Sequence, residues 1–192
     1  MLDLLERNFY LIDFTIGAAL PLTLLFLYLG KKVFAFTWRI FWIGTAIGLT
    51  WEIPLSTLDG LGIVDVFTFI TPPPAHFAFI IISHSLWDGG LFLAGSGLVR
   101  LLCPRPQYMS FSIRELAVLL AWGQVQELAV ELTSTGSGGW SYVPAWWNPS
   151  LFVFNGRDIT LLPQLIWLAA PVPFYWAALR LRKTADPALP PG

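Results

Sequence analysis

Residues 36–58 read FTWRIFWIGTAIGLTWEIPLSTL, and between Arg39 and Asp59 the only charged residue is Glu52. A lone acid in an apolar run of this length needs a reason. The rest of the chain frames it: 56% of the 192 residues are hydrophobic and 12% charged, with a mean hydropathy of +0.66, against about 25% charged in ordinary soluble domains. Five apolar runs, roughly 9–29, 40–58, 76–99, 115–133 and 159–179, each have the ~20 residues that a helix rising ~1.5 Å per residue needs to cross ~30 Å of hydrocarbon. The expectation is an all-α polytopic membrane protein: one five-transmembrane-helix bundle over residues 1–183, followed by a disordered cytoplasmic tail, 184–192 (TADPALPPG). The N-terminal MLDLLERNFY lacks the basic region of a secretory signal, so the first run reads as a mature helix.

Basic residues set the expected orientation. Lys31, Lys32 and Arg39 follow the first run, Arg100, Arg105 and Arg114 separate the third from the fourth, and Arg180, Arg182 and Lys183 follow the fifth. With five spans these nine of the eleven Lys and Arg share one side, and only Arg7 and Arg157 lie on the other. The positive-inside rule then puts the N-terminus outside and the C-terminus in the cytoplasm.

That topology assigns depths. Glu52 lies about 18 Å along the second helix from the basic side, and His84 and Asp88 about 12 and 18 Å along the third from the other side. The fourth helix carries Gln124, Glu127 and Glu131 into the same outer half, where Asp13, Asp158 and Gln164 also fall. Intramembrane ionisable groups cost about 2.5–3.5 kcal/mol each on insertion scales and usually face a bundle interior or a watered cavity. Gln124, Glu127 and Glu131 are spaced i, i+3, i+7, and His84 and Asp88 i, i+4, so each set shares a helical face and one common cavity is expected.

Plainer readings stand beside these. Gly44 and Gly48 form a GxxxG, which most often means close helix packing. His84 and Asp88 would also suit a buried structural hydrogen bond, and Glu131 lies near enough to the surface to be simply solvated. Glu52 and Glu127 have no Lys or Arg at their depth; their structural reading is protonated acids bonded to Gln124, Gln126 or Thr50.

Inventory narrows the chemistry. Cys103 is the single cysteine, so neither an internal disulfide nor a cysteine-rich metal site is expected. A b-type haem needs two facing histidines, whereas His76 and His84 lie on one run about 12 Å apart along its axis. Zinc and di-iron sites need more His or Cys, no GxSxG, Walker or Rossmann pattern occurs, and a net charge of −1 gives no case for nucleic acid. What remains is cofactor-free acid–base chemistry on an apolar molecule, or binding without chemistry. No metal is expected.

The aromatics suit a bulky apolar ligand. Trp51 precedes Glu52, Trp87 precedes Asp88, and Trp122 and Trp167 lie in the fourth and fifth runs. A desolvated Trp face can stabilise a cation by about 2 kcal/mol, whereas Trp38, Trp42 and Trp176 read as interfacial anchors. The connection TSTGSGGWSYVPAWWNPSLFVFNGRD is too long for a turn and reads as an interfacial lid, with Trp140, Tyr142, Trp146 and Trp147 packed on the bundle.

With GQVQELAVELTSTGSGGW, then NPSLF, then LPQLIWLAAPVPFYW on the page, the chain resembles the emopamil-binding protein family, the EXPERA superfamily of sterol isomerases and sigma-2-receptor-type proteins. The resemblance covers about 130 residues. Gln164-x-x-Trp167 followed by Pro171 stands where that family has Asn-x-x-Trp and a Pro, and Trp51-Glu52 corresponds to its acidic second helix. Where the isomerases carry a His one turn before that acid, this chain has Gly48; their third-helix Glu has no clear counterpart, although His84 and Asp88 lie in that helix. The Trp-Glu-Ile at 51–53 also resembles the acidic segment of small integral-membrane terpene cyclases.

Both resemblances imply an isomerase or cyclase acting on a sterol-like or isoprenoid lipid. The residues support the same idea independently, because a carboxylic acid in apolar surroundings stays protonated and can donate to an alkene or epoxide. Glu52 is the expected acid, and Glu127 or the His84–Asp88 pair the terminating base. Trp51, Trp87, Gln124, Glu131, Gln164 and Trp167 are the expected substrate contacts. The expected partners are an apolar lipid and the surrounding membrane lipids, and a homodimer is compatible with them. The rival readings are a non-catalytic lipid-binding protein and a structural subunit of a membrane complex.

Overall fold

The structure, a computed structural model, describes residues 2–185. It is mostly helical: α1 (Leu2–Leu29), α2 (Ala35–Gly60), α3 (Phe77–Leu102), α4 (Ile113–Gly136), α5 (Leu161–Ala169) and α6 (Pro171–Ala185). Three of its helical stretches, Asn8–Leu29, Phe77–Leu102 and Leu161–Lys183, are long and apolar enough to cross a membrane. The last combines α5 and α6, which are separated at Ala170. Pro171 opens α6, where its missing N–H costs no intrahelical bond. The helices α2 and α4 are comparably long, 26 and 24 residues, but polar residues lower their hydropathy. Most of those residues point inward: Thr45, Glu52 and Ser56 on α2, and Glu115, Gln126, Glu127, Glu131, Ser134 and Thr135 on α4, are buried. The expected tail begins at 184, but α6 runs through Ala185; the remainder lies outside the described residues.

The close packing of α2 on α3 is the centre of the bundle. Phe36, Ile40, Gly44, Gly48, Glu52 and Ser56 recur every fourth residue and form the buried stripe of α2. A Cβ at Gly44 would come within 2.8 Å of the Phe92 side chain, and one at Gly48 would fall inside the Asp88 carboxyl group. The GxxxG is thus a close-packing device, and it also makes room for an acid. On the far side of α3, α1 is held by the Trp87 indole N–H donating to the Asp13 carbonyl at 3.1 Å.

Helix ends meet at a basic end of the molecule. The guanidinium groups of Arg100 on α3 and Arg182 on α6 lie 5.9 and 5.7 Å from the ring of Phe36 on α2, while Tyr28 of α1 stacks on Trp38 at 5.5 Å. The foot of α4 is fixed there too: Tyr175 donates to the buried Glu115 carboxylate at 2.9 Å.

Four short strands depart from the all-α expectation: β1 (Phe67–Phe69), β2 (Trp140–Tyr142), β3 (Ser150–Phe154) and β4 (Arg157–Thr160). β1 pairs antiparallel with β2, joining the α2–α3 connection to the start of the α4–α5 connection. β3 and β4 form a hairpin around Asn155 and Gly156, both at positive φ. Apolar FVF before Asn-Gly is a hairpin signal, because a two-residue turn of this kind needs left-handed residues at both positions. The strands arise because these long connections must satisfy their own backbone groups away from the helices.

The 134–158 connection is ordered, as a lid reading requires, but not in every ring. Trp140 and Tyr142 are buried with Val66, and Trp147 packs against them, whereas Trp146 is 94% exposed. It sits in a tight Ala145–Asn148 bridge that turns inward the neighbouring Asn148, whose amide donates to the Val143 carbonyl and accepts from Leu162 N–H at 2.8 Å.

Candidate functional site

Five helices and the lid line a cavity of about 580 Å³ at the end opposite the basic cluster, within the usual range for small-molecule pockets. From α2 come Trp51 and Glu52; from α3, His84, Trp87, Asp88 and Leu91; from α4, Trp122, Gln126, Glu127 and Val130; from α1, Phe9, Ile12, Asp13 and Ile16. Phe67, Trp140 and Tyr142 close the top, and Trp167 of α5 the floor. Among the described residues, no lysine or arginine lines it.

His84 organises the polar wall. Its Nδ1 lies 3.6 Å from Glu52 Oε2 and its Nε2 3.6 Å from Asp13 Oδ2, so one imidazole bridges two carboxyl groups on different helices. Ser56, one turn beyond Glu52, donates to the same Glu52 oxygen at 3.5 Å. Asp88, one turn from His84, occupies the space that Gly48 leaves open, and its Oδ2 is buried with no hydrogen-bond partner. An imidazole between two acids can accept a proton from one and pass the other to the second. Asp13 is therefore part of the constellation, although only its depth, and not its facing, was readable from sequence.

Not every expected contact reaches the cavity. Glu127 does, but Gln124, Glu131 and Gln164 do not line it. Gln124 donates to the Gln164 carbonyl at 3.0 Å, joining α4 to α5. Glu131 is fully buried and accepts from the backbone N–H and hydroxyl of Thr160 at 2.9 and 3.3 Å. That bond ties β4 to α4, so Glu131 is not solvated and lies behind the cavity wall. At ~100° per residue, Gln124 and Glu131 lie about 60° and 40° to one side of Glu127, toward α5, while Gln126 and Val130 lie on the other.

Aromatic faces form the apolar wall. Trp51 and Trp167 meet edge to face at 5.6 Å, Trp167 packs on Phe92 at 4.9 Å, and Trp122 is fixed by donating to the Leu91 carbonyl at 2.8 Å. In the lid, burial, followed by the Glu127 and Glu52 carboxyl groups, pushes the Tyr142 phenol well above its ordinary range. It stays neutral at any physiological pH.

The cavity opens sideways. Ile12 and Ile16 on α1, and Val125, Ala129 and Thr133 on α4, line it while also being exposed on the outside of the bundle. α1 packs mainly on α3 and has no comparable packing on α4, so a slot lies between those two helices. Its rims are one-turn ladders of apolar or small side chains.

Comparison of the chain with protein families, curated proteins and solved structures finds no match.

Proposed function

We propose that the protein is an integral-membrane isomerase or cyclase that protonates an alkene or epoxide of a sterol-like or isoprenoid lipid. The observation that carries this reading is the juxtaposition of Glu52, His84, Asp13, Asp88 and Glu127 on the wall of a tryptophan-lined cavity with no lysine or arginine among its described lining residues. Glu52 in its acid form donates its proton to the substrate; a C–H bond forms (O–H if an epoxide opens) and a carbocation results. Trp51, Trp122 and Trp167 offer π faces to that cation, and Glu127 or Asp88 removes a proton elsewhere on the skeleton. One proton enters and one leaves, so the step needs no redox partner. His84, backed by Asp13, gives a proton to Glu52, and the proton held by Glu127 or Asp88 recharges His84, so that every group ends as it began.

The proposal includes five spans, with α2 and α4 crossing as well as the three more apolar stretches. Most of their polar residues, Glu52, Glu115, Glu127 and Glu131 among them, then face the cavity or the bundle interior, not lipid. Nine of the eleven basic residues fall on one side, giving an outside N-terminus and a cytoplasmic C-terminus.

Glu52→Gln keeps the shape and hydrogen bonding of the side chain but cannot donate an acid proton. Expected is retained lipid binding with conversion lost by at least ~100-fold, the scale of one general acid. Wild-type turnover would remove Glu52 from the role of acid. The same slot and cavity would serve a lipid-binding protein, and that reading gains if the wild type binds isoprenoid or sterol lipids and converts none.

A further inference from the structure

The β3–β4 hairpin is the strongest departure from ordinary packing outside the cavity. All five residues of β3 are exposed, and four are large and apolar: Leu151 49%, Phe152 45%, Val153 65% and Phe154 40%. Consecutive strand residues point to opposite faces, so β3 is bare on both, whereas Ile159 and Thr160 at the far end of β4 are buried against the bundle. Just before it stands Trp146, at 94% exposure.

We propose that this hairpin is a membrane-surface anchor, its tip and β3 edge embedded among the phospholipids at the headgroup–acyl boundary. Three observations select lipid over a protein partner. First, the exposed apolar residues of β3 lie on both of its faces, of which a flat protein surface would cover one, whereas lipid reaches both. Second, β4 runs without a break into α5 at Leu161, where the 23-residue apolar stretch Leu161–Lys183 begins; a span of that length fills the ~30 Å hydrocarbon layer, which puts the hairpin at the interface. Third, the helix that follows the hairpin is itself apolar on its exposed side, with Leu165 and Leu168 of α5 exposed. Charge does not oppose insertion, because Arg157 and Asp158, the two charges of the hairpin, are of opposite sign. Trp146 suits the same level, where amphipathic rings collect.

The anchor has a mechanical role. Thr160 at the end of β4 binds Glu131 of α4, and β4 also contacts the lid strand β2. The hairpin thereby holds the cavity's roof to the bilayer surface. The proposal rests on the membrane-spanning reading alone and not on the chemistry.

The test is spin-label accessibility in phosphatidylcholine nanodiscs, with single cysteines introduced by Val153→Cys, Leu168→Cys and Asp65→Cys. Cys103 is buried and stays in place. The expected result is a ratio of oxygen to nickel-chelate collisions several-fold higher at 153 than at 65, the exposed aqueous reference, and higher still at 168. A ratio at 153 equal to that at 65, with 168 in lipid, overturns the anchor. Water-like ratios at both 153 and 168 overturn the membrane reading itself. If 153 is shielded from both reagents and labels on two copies lie within dipolar range, the hairpin pairs with a second copy and the lipid proposal fails. Since surface labels at 153 leave the helices untouched, loss of fold does not confuse the result; Phe152→Cys on the opposite strand face serves as a replicate.

Discussion

At the scale of single residues, the site depends on a glycine as much as on its acids. Gly48 is where Asp88 enters α2's surface, so a side chain at 48 and the carboxyl of 88 cannot share the space. Gly48→Ala is expected to destabilise the protein by about 1–3 kcal/mol, the cost of overpacking a tight contact. Gly97→Ala is the internal comparison: nothing lies within 4 Å of a Cβ there, and replacing a helical glycine in open space stabilises by roughly 0.4–1 kcal/mol. Melting of the two variants in one detergent should therefore move in opposite directions. The spacing of His84 and Asp88 was enough to place both on one face, and the depths of Glu52 and Glu127 followed from helix length. Asp13 escaped because α1 is apolar on nearly all sides, so its sequence fixes depth but not facing. Gln124 and Glu131 misled for the opposite reason: i, i+3 and i+7 share a face only to within about 60°, enough to separate a cavity wall from a contact with α5.

Among elements, the strands were the least legible part of the fold. β1 and β2 are three residues each, too short for any period to show, and their partners are separated in sequence by the whole of α3 and α4. Only the Asn155-Gly156 turn advertised a hairpin. The β1–β2 pairing makes a direct prediction, since Thr68 faces Ser141 in register and antiparallel partners sit ~4.5–5.5 Å apart between Cα atoms, inside the range a disulfide accepts. Thr68→Cys with Ser141→Cys should oxidise readily, and the crosslinked chain should run faster on a non-reducing gel. Pairing Thr68→Cys with Val143→Cys, out of register, should give little crosslink. Equal yields from both pairs would mean that the two connections are not joined by this sheet.

For the whole molecule, hydropathy alone picks out three stretches as membrane-crossing, whereas the charge pattern argues for five. The two disagree over α2 and α4 because an average over all faces of a helix penalises polar residues that point inward. Labelling decides between them. Cysteines placed at Gly60 and Pro104, at opposite ends of the bundle, should be accessible from opposite sides of the membrane. Access to both from the same side would remove the five-span topology and with it the common depth of Glu52, His84, Asp88 and Glu127.

The slot between α1 and α4 has a consequence for how the protein would be assayed. A ligand that reaches the cavity through that gap is drawn from the leaflet, so the concentration that governs occupancy is its mole fraction in lipid and not its molarity in buffer. Adding empty vesicles at fixed protein and fixed total ligand should then lower occupancy in proportion, although nothing in the aqueous phase has changed. Affinities expressed per litre of water would drift from one preparation to the next, while those expressed per lipid would coincide.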